Sequence, residues 1–94
     1  DRFKLMTTLV TIVDCDSMAA ASRKLGISES SVSRHLASLE AHLGEQLVAR
    51  DAHRLYLTHK GEAYVRSCRV ILHQLQAAEG QVRQGLQLSE LDEQ

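Results

Sequence analysis

The stretch Ser17-Met18-Ala19-Ala20-Ala21-Ser22-Arg23-Lys24-Leu25-Gly26-Ile27-Ser28-Glu29-Ser30-Ser31-Val32-Ser33-Arg34-His35-Leu36 decides the fold. Ser17 is a good N-cap for a short alanine-rich helix, Met18 to Leu25. Gly26 stands where a left-handed residue ends a helix. Ser28 caps a further helix. Ile27 and Val32 take the N′ and N4 positions of a hydrophobic staple around it. Two short helices joined by roughly three or four residues that include a glycine form a helix-turn-helix.

Working outward, the third helix continues to Leu43, with Gly44 as its stop. Val32, Leu36, Leu39 and Leu43 recur at helical spacing and are expected to face the core. Upstream, Phe3, Met6, Leu9, Val10 and Val13 predict an amphipathic helix over residues 2–14. Asp14, Cys15 and Asp16 break it. Downstream, Leu47-Val48 and Leu55-Tyr56-Leu57 are short apolar runs, with the polar, turn-like Ala49 to Arg54 between them. They predict a two-stranded wing over residues 47–57.

Thr58 caps a last helix starting near His59. Tyr64, Cys68, Ile71, Leu75, Ala78, Val82 and Gly85 then alternate in steps of 4 and 3, the a/d seam of a heptad. A body this small cannot cover so long a stripe, so the helix is expected to pair with a copy of itself. The last residues, Ser89 to Gln94, are acidic and expected to fray. The fold class is therefore mostly α. A winged helix-turn-helix of three helices and a two-stranded wing fills residues 1–58. A linker and dimerisation helix with an acidic tail fills residues 59–94.

Composition agrees. The 94 residues make one domain with a small core. Proline is absent and aromatic residues are sparse, which favours helices over strands. No run of about 18 apolar residues predicts a membrane span, and no secretory signal opens the chain. Cys15 and Cys68 fit neither a disulfide framework nor a CxxC site and read as packing residues in a cytoplasmic protein. The five histidines lack metal-binding spacing, so no metal and no cofactor is expected. No nucleophile elbow or phosphate loop predicts an enzyme.

The net charge of −1 is unlike that of most DNA binders, whose phosphate contacts carry the affinity. Its distribution is uneven: residues 1–75 carry a net +2 and residues 76–94 a net −3. The case for nucleic acid therefore rests on placement. With Val32, Leu36 and Leu39 inward, Ser30, Ser33, Arg34 and Ala37 point outward. Small side chains let a helix enter a major groove, hydroxyls bond phosphates or base edges, and Arg suits guanine. Base or groove contacts are expected from Glu29, Ser30, Ser33, Arg34 and, on the wing, Arg54. Glu29 also suits the helix dipole, and a carboxylate there can accept from cytosine or repel phosphate. Phosphate contacts are expected from Ser17 and Ser28 at helix N-termini, and from Arg23, Arg50, His53 and Lys60. Ser28 reads first as a cap. The alternative reading is a protein-interaction module in which the heptad helix recruits a partner.

These residues resemble a known family. Ser17 to Leu25 resembles the S-F-x-x-A-A-x-x-L of LysR-type transcriptional regulators. Ile27 to Leu36 resembles their V-S-Q-S/P-A-V/L-S-R-x-I. Leu39-Glu40, Leu43-Gly44, Leu47 and Arg50 are similar to LE..LG..LF.R, and Leu57 to Glu62 to LTxAGE. The order is unbroken from Phe3 to about Val82. Met18 and Val48 stand where Phe is usual, Glu29 where Gln is common, and Asp51 where Thr is frequent. His59 and Lys60 also depart from the pattern.

The resemblance implies a bacterial transcription factor that is a homodimer, often a tetramer at full length, joined through the helix after the wing. It implies an inverted-repeat operator and a nucleoid-associated, cytoplasmic protein. It also implies a small-molecule effector, bound only by a C-terminal domain that this sequence does not include. By position, Ser33 and Arg34 match the family's groove-contacting residues, with Ser30 beside them, and Arg50 and Arg54 match its wing. Dimerisation is expected through Tyr64, Cys68, Ile71, Leu75, Ala78 and Val82.

Overall fold

A computed structural model describes residues 1–52 and 54–85. The order of elements is α1 (Arg2–Cys15), α2 (Met18–Leu25), α3 (Glu29–Leu43), β1 (Val48–Asp51), β2 (Arg54–Leu57) and α4 (His59–Gln84). This is a winged helix-turn-helix with a long helix behind it. The predicted acidic tail, Ser89 to Gln94, lies outside the described residues, as does His53.

Local chemistry sets the helix ends. The hydroxyls of Ser17, Ser28 and Thr58 accept from the backbone N–H groups of Ala20, Ser31 and Gly61. Each satisfies a donor that the first turn leaves free. Gly26 ends α2 in the left-handed region at φ 70°. There the Ile27 N–H reaches back to the Ser22 carbonyl at 3.1 Å, which closes a Schellman motif.

Helix α1 is the hub, packing against α2, α3 and α4. One core cluster joins Leu9 of α1 to Leu39, Leu47, Val48 and Val65. A second joins Ile12 to Met18, Ala21 and Val32. Because α1 is covered on several sides, its buried face is Met6, Leu9 and Ile12, with Thr8 and Thr11 folded in. The two threonines bond back to the carbonyls of Lys4 and Thr7, which makes their burial tolerable. The predicted stripe is corrected at Phe3, which is 47% exposed.

Two further expectations are corrected. Leu43, expected on the core face of α3, is exposed: Leu39 is the last buried residue of that helix, and among the described residues no element covers the stripe beyond it. The polar segment 49–54 is mostly ladder rather than turn. Strands β1 and β2 pair antiparallel with Val48 opposite Leu57, Ala49 opposite Tyr56, Arg50 opposite Leu55 and Asp51 opposite Arg54. Backbone bonds carry a hairpin beyond the point where its side chains stop being apolar.

The seam of α4 divides. Cys68 is wholly buried within the protomer, and burial pushes its thiol pKa up. Tyr64 packs partly buried against the same core. This corrects the placing of Cys68 at a partner-facing seam: the first turns of α4 lie on α1 and use that face themselves. Further along, Ile71 is 41% exposed and Val82 72% exposed. An ion pair between Arg69 and Asp14 at 2.7 Å ties α4 to the end of α1. Its hydrogen bond holds the Asp14 carboxyl below the usual carboxylate range. No helix among the described residues is long and apolar enough to cross a membrane.

Candidate nucleic-acid interface

The outward face of α3 is built as the pattern predicts. Val32 and Leu39 are fully buried, while Ser30, Ser33, Arg34 and Ala37 are exposed. A chain of polar contacts organises the first turns. Ser28 Oγ accepts the Ser31 N–H at 3.1 Å and donates to Ser31 Oγ at 3.0 Å. Ser30 Oγ lies 3.1 Å from Ser28 Oγ. Arg34 Nη2 donates to Ser31 Oγ at 2.9 Å. Ser31 therefore steadies the guanidinium one turn away and leaves its other donors outward. Periodicity did not single out Ser31, since a serine at that position reads equally well as a solvated one.

A second part of the surface is an open cleft. It is lined by Ser17, Met18 and Ala19 at the start of α2, Glu29 at the start of α3, and Arg50 and Arg54 on the wing. The structure thus brings together two helix N-termini and two guanidinium groups that lie far apart in sequence. Helix N-termini and arginines both favour anions. Glu29 and the neighbouring Asp16 set two carboxylates into the same cleft. Asp51, directly opposite Arg54 in the hairpin register, offsets part of the wing's charge.

Other predicted phosphate ligands stand apart. Arg23 lies in the last turn of α2, at the end opposite Ser17. Lys60 is exposed and already paired with Glu45. His53 is outside the described residues.

Three residues organise the site in ways their sequence positions do not show. Glu40 on α3 accepts the backbone N–H groups of Leu47 and Val48 through one carboxylate oxygen, at 2.7 and 3.2 Å. Thr58 does more than cap α4. Its N–H donates to the Leu47 carbonyl at 2.9 Å, and its hydroxyl to the Gln46 carbonyl at 2.7 Å. Gly61 lies so close to Leu47 that a Cβ would overlap the Leu47 carbonyl oxygen. The one available signal was Glu40, a carboxylate beside the core position Leu39, but nothing local reveals its partner.

Residues 3–62 match the model of the bacterial regulatory helix-turn-helix proteins of the lysR family. The chain belongs to that family. Curated relatives of this LysR-family chain include an HTH-type transcriptional repressor of Pseudomonas aeruginosa (strain UCBPP-PA14). It is 39% identical over 85 residues, which cover 90% of this chain and 27% of the relative. The HTH-type transcriptional activator AaeR of Escherichia coli (strain K12) is 36% identical over 76 residues, covering 81% of this chain and 25% of AaeR. The chain thus spans about a quarter of these relatives.

Among solved structures, the DNA-binding domain of CbnR in complex with DNA superposes with a TM-score of 0.80 at 28% identity. The match covers 86% of this chain and 93% of that one. A separate structure of CbnR, a LysR family transcriptional regulator, gives a TM-score of 0.81 at 28% identity, over 86% of this chain and 28% of that one.

Proposed function

We propose that this chain binds double-stranded DNA sequence-specifically, as a homodimer, in transcriptional regulation, and not as an enzyme. The carrying observation is the face of α3. It presents Ser30, Ser33 and a steadied Arg34 outward while Val32 and Leu39 anchor it from behind. In this reading α3 enters a major groove, with Ser33 and Arg34 at base edges and Glu29 and Ser30 beside them. The wing reaches the minor groove and backbone with Arg54 and Arg50. Ser17, Ser28, Arg23 and Lys60 face phosphates, Arg23 and Lys60 from the rim, and His53 is a further phosphate ligand in this reading. Complexes of LysR-family domains with DNA, such as that of CbnR, support the arrangement.

The homodimer forms through the far part of α4. Ile71, Leu75 and Val82 are exposed apolar residues on one side of it, with Ala78 between them. A two-fold dimer calls for an inverted-repeat operator. The remaining three quarters of the relatives' length leaves room for effector binding and tetramer formation in a longer parent protein. Such a regulator works in the bacterial cytoplasm, on the nucleoid.

The test is fluorescence anisotropy of the chain on labelled genomic duplex fragments over a salt series, with Arg34→Ala alongside. Wild type should bind some fragments tightly and lose affinity steeply with salt. Arg34→Ala should cost about 1–3 kcal/mol and relax discrimination at one base pair. Absence of binding to any fragment at low salt would overturn the reading.

A further inference from the structure

The recognition helix leads into the wing through a short connection, residues 44–47, and grips that connection with a single side chain. The Glu40 carbonyl accepts the N–H groups of Gly44 and Glu45, which finishes α3. Its carboxylate then reaches forward, and Oε2 takes the N–H groups of both Leu47 and Val48. The Leu47 carbonyl is held from the other side by the N–H of Thr58 at the start of α4, while the Thr58 hydroxyl donates to the adjoining Gln46 carbonyl. Gly61 allows that close approach. Two adjacent peptide units, Gln46–Leu47 and Leu47–Val48, are therefore clasped between the recognition helix and the long helix, and the wing starts from them. Helices α3 and α4 otherwise meet mainly through α1.

Resting on the DNA-binding reading above, we infer that Glu40 is a positioning residue for the wing. Its carboxylate sets the angle between α3 and the hairpin, so that Arg50 and Arg54 meet the DNA backbone while Ser33 and Arg34 occupy the groove. Glu40 itself touches no DNA. Its effect on binding passes through the two wing arginines. The role needs reach and one acceptor oxygen rather than negative charge, because both bonds end on the same atom. Glutamine retains such an oxygen at the same distance. Aspartate keeps the charge but is one methylene too short.

The experiment measures the salt slope of binding to a labelled mixed-sequence duplex for wild type, Glu40→Gln, Glu40→Asp and Glu40→Ala. Thermal melts check folding. Amide hydrogen exchange reports on Leu47 and Val48. Glu40→Gln should keep the wild-type slope and amide protection. Glu40→Asp and Glu40→Ala should lose protection at both amides and give a slope shallower by about one to two, the share of two phosphate contacts. In an Arg50→Ala/Arg54→Ala background, Glu40→Ala should change the slope no further.

A slope unchanged in Glu40→Ala overturns the inference. So does a full effect on top of the arginine substitutions, or an aspartate variant that matches wild type. If Glu40→Ala does not fold, the contrast between Gln and Asp decides. A wild-type chain that binds no duplex at low salt overturns the DNA reading instead, while hydrogen exchange still tests the strut.

Discussion

His35 Nδ1, on the flank of the recognition helix, lies 3.0 Å from the Thr8 hydroxyl of α1. That hydroxyl has one hydrogen, which it donates to the Lys4 carbonyl at 3.0 Å. Thr8 must therefore accept from His35, which puts the imidazole hydrogen on Nδ1 and leaves Nε2 to take any second proton. Partial burial first, and then the charges of Lys4 and Arg34, hold the His35 pKa below its ordinary value. A depressed histidine favours the folded state when neutral. That stability is fully present above the unfolded value of about 6.5 and is lost as pH falls through the folded pKa. The melting temperature should fall as pH drops below about 6.5, and less steeply in His35→Gln. Equal pH slopes for the two proteins would remove His35 from the account.

Gly61→Ala sets two effects of opposite sign against each other. Alanine gains about 1 kcal/mol in helix propensity. Its methyl, however, would overlap the Leu47 carbonyl oxygen and lie 2.9 Å from the carbonyl carbon, both backbone atoms that cannot rotate away. Overpacking of this kind costs about 1–3 kcal/mol, so urea denaturation should show net destabilisation. The same change at Gly80, which has open space around it, should stabilise by up to about 1 kcal/mol.

Leu39 and Leu43 lie one turn apart on the same predicted stripe, yet only Leu39 is buried. Leu39→Ala should cost about 2–5 kcal/mol in an unfolding titration. Leu43→Ala should stay within about 0.5 kcal/mol, as exposed substitutions do. Similar losses at both positions would put Leu43 back in the core.

Ile71 and Leu75 are at least a third exposed on α4. Glutamate at either position should leave the protomer folded but weaken self-association by at least tenfold, about 1.4 kcal/mol, read by sedimentation equilibrium. DNA affinity should drop with it, since two linked half-sites bind better than one. If the double variant sediments as wild type, dimerisation does not use this face.

Asp51 opposes Arg54 across the hairpin. Asp51→Asn should strengthen binding to any duplex at low salt and leave discrimination between sequences unchanged, because it alters backbone attraction only. Filter binding on two unrelated duplexes would show it.

Most of the secondary structure was legible because it rests on contacts within a few residues. Ser17, Ser28 and Thr58 cap their own helices, Gly26 and Gly44 end theirs in the left-handed region, and Val32 and Leu39 follow helical spacing. The outward set Ser30, Ser33 and Arg34 follows from the same arithmetic, and the ordered motifs named the family. What only the tertiary structure decided is which element covers which face. An apolar period shows that a stripe exists, not where its cover stops. So Leu43 emerges at the end of α3, Phe3 is left outside, and Cys68 turns into its own protomer rather than toward a copy. The clasp of Glu40 and Thr58 on Leu47, and the cleft joining Ser17, Glu29, Arg50 and Arg54, bring together residues separated in the chain. Such contacts leave no local signature, because they exist only once α1 has gathered the other helices around it.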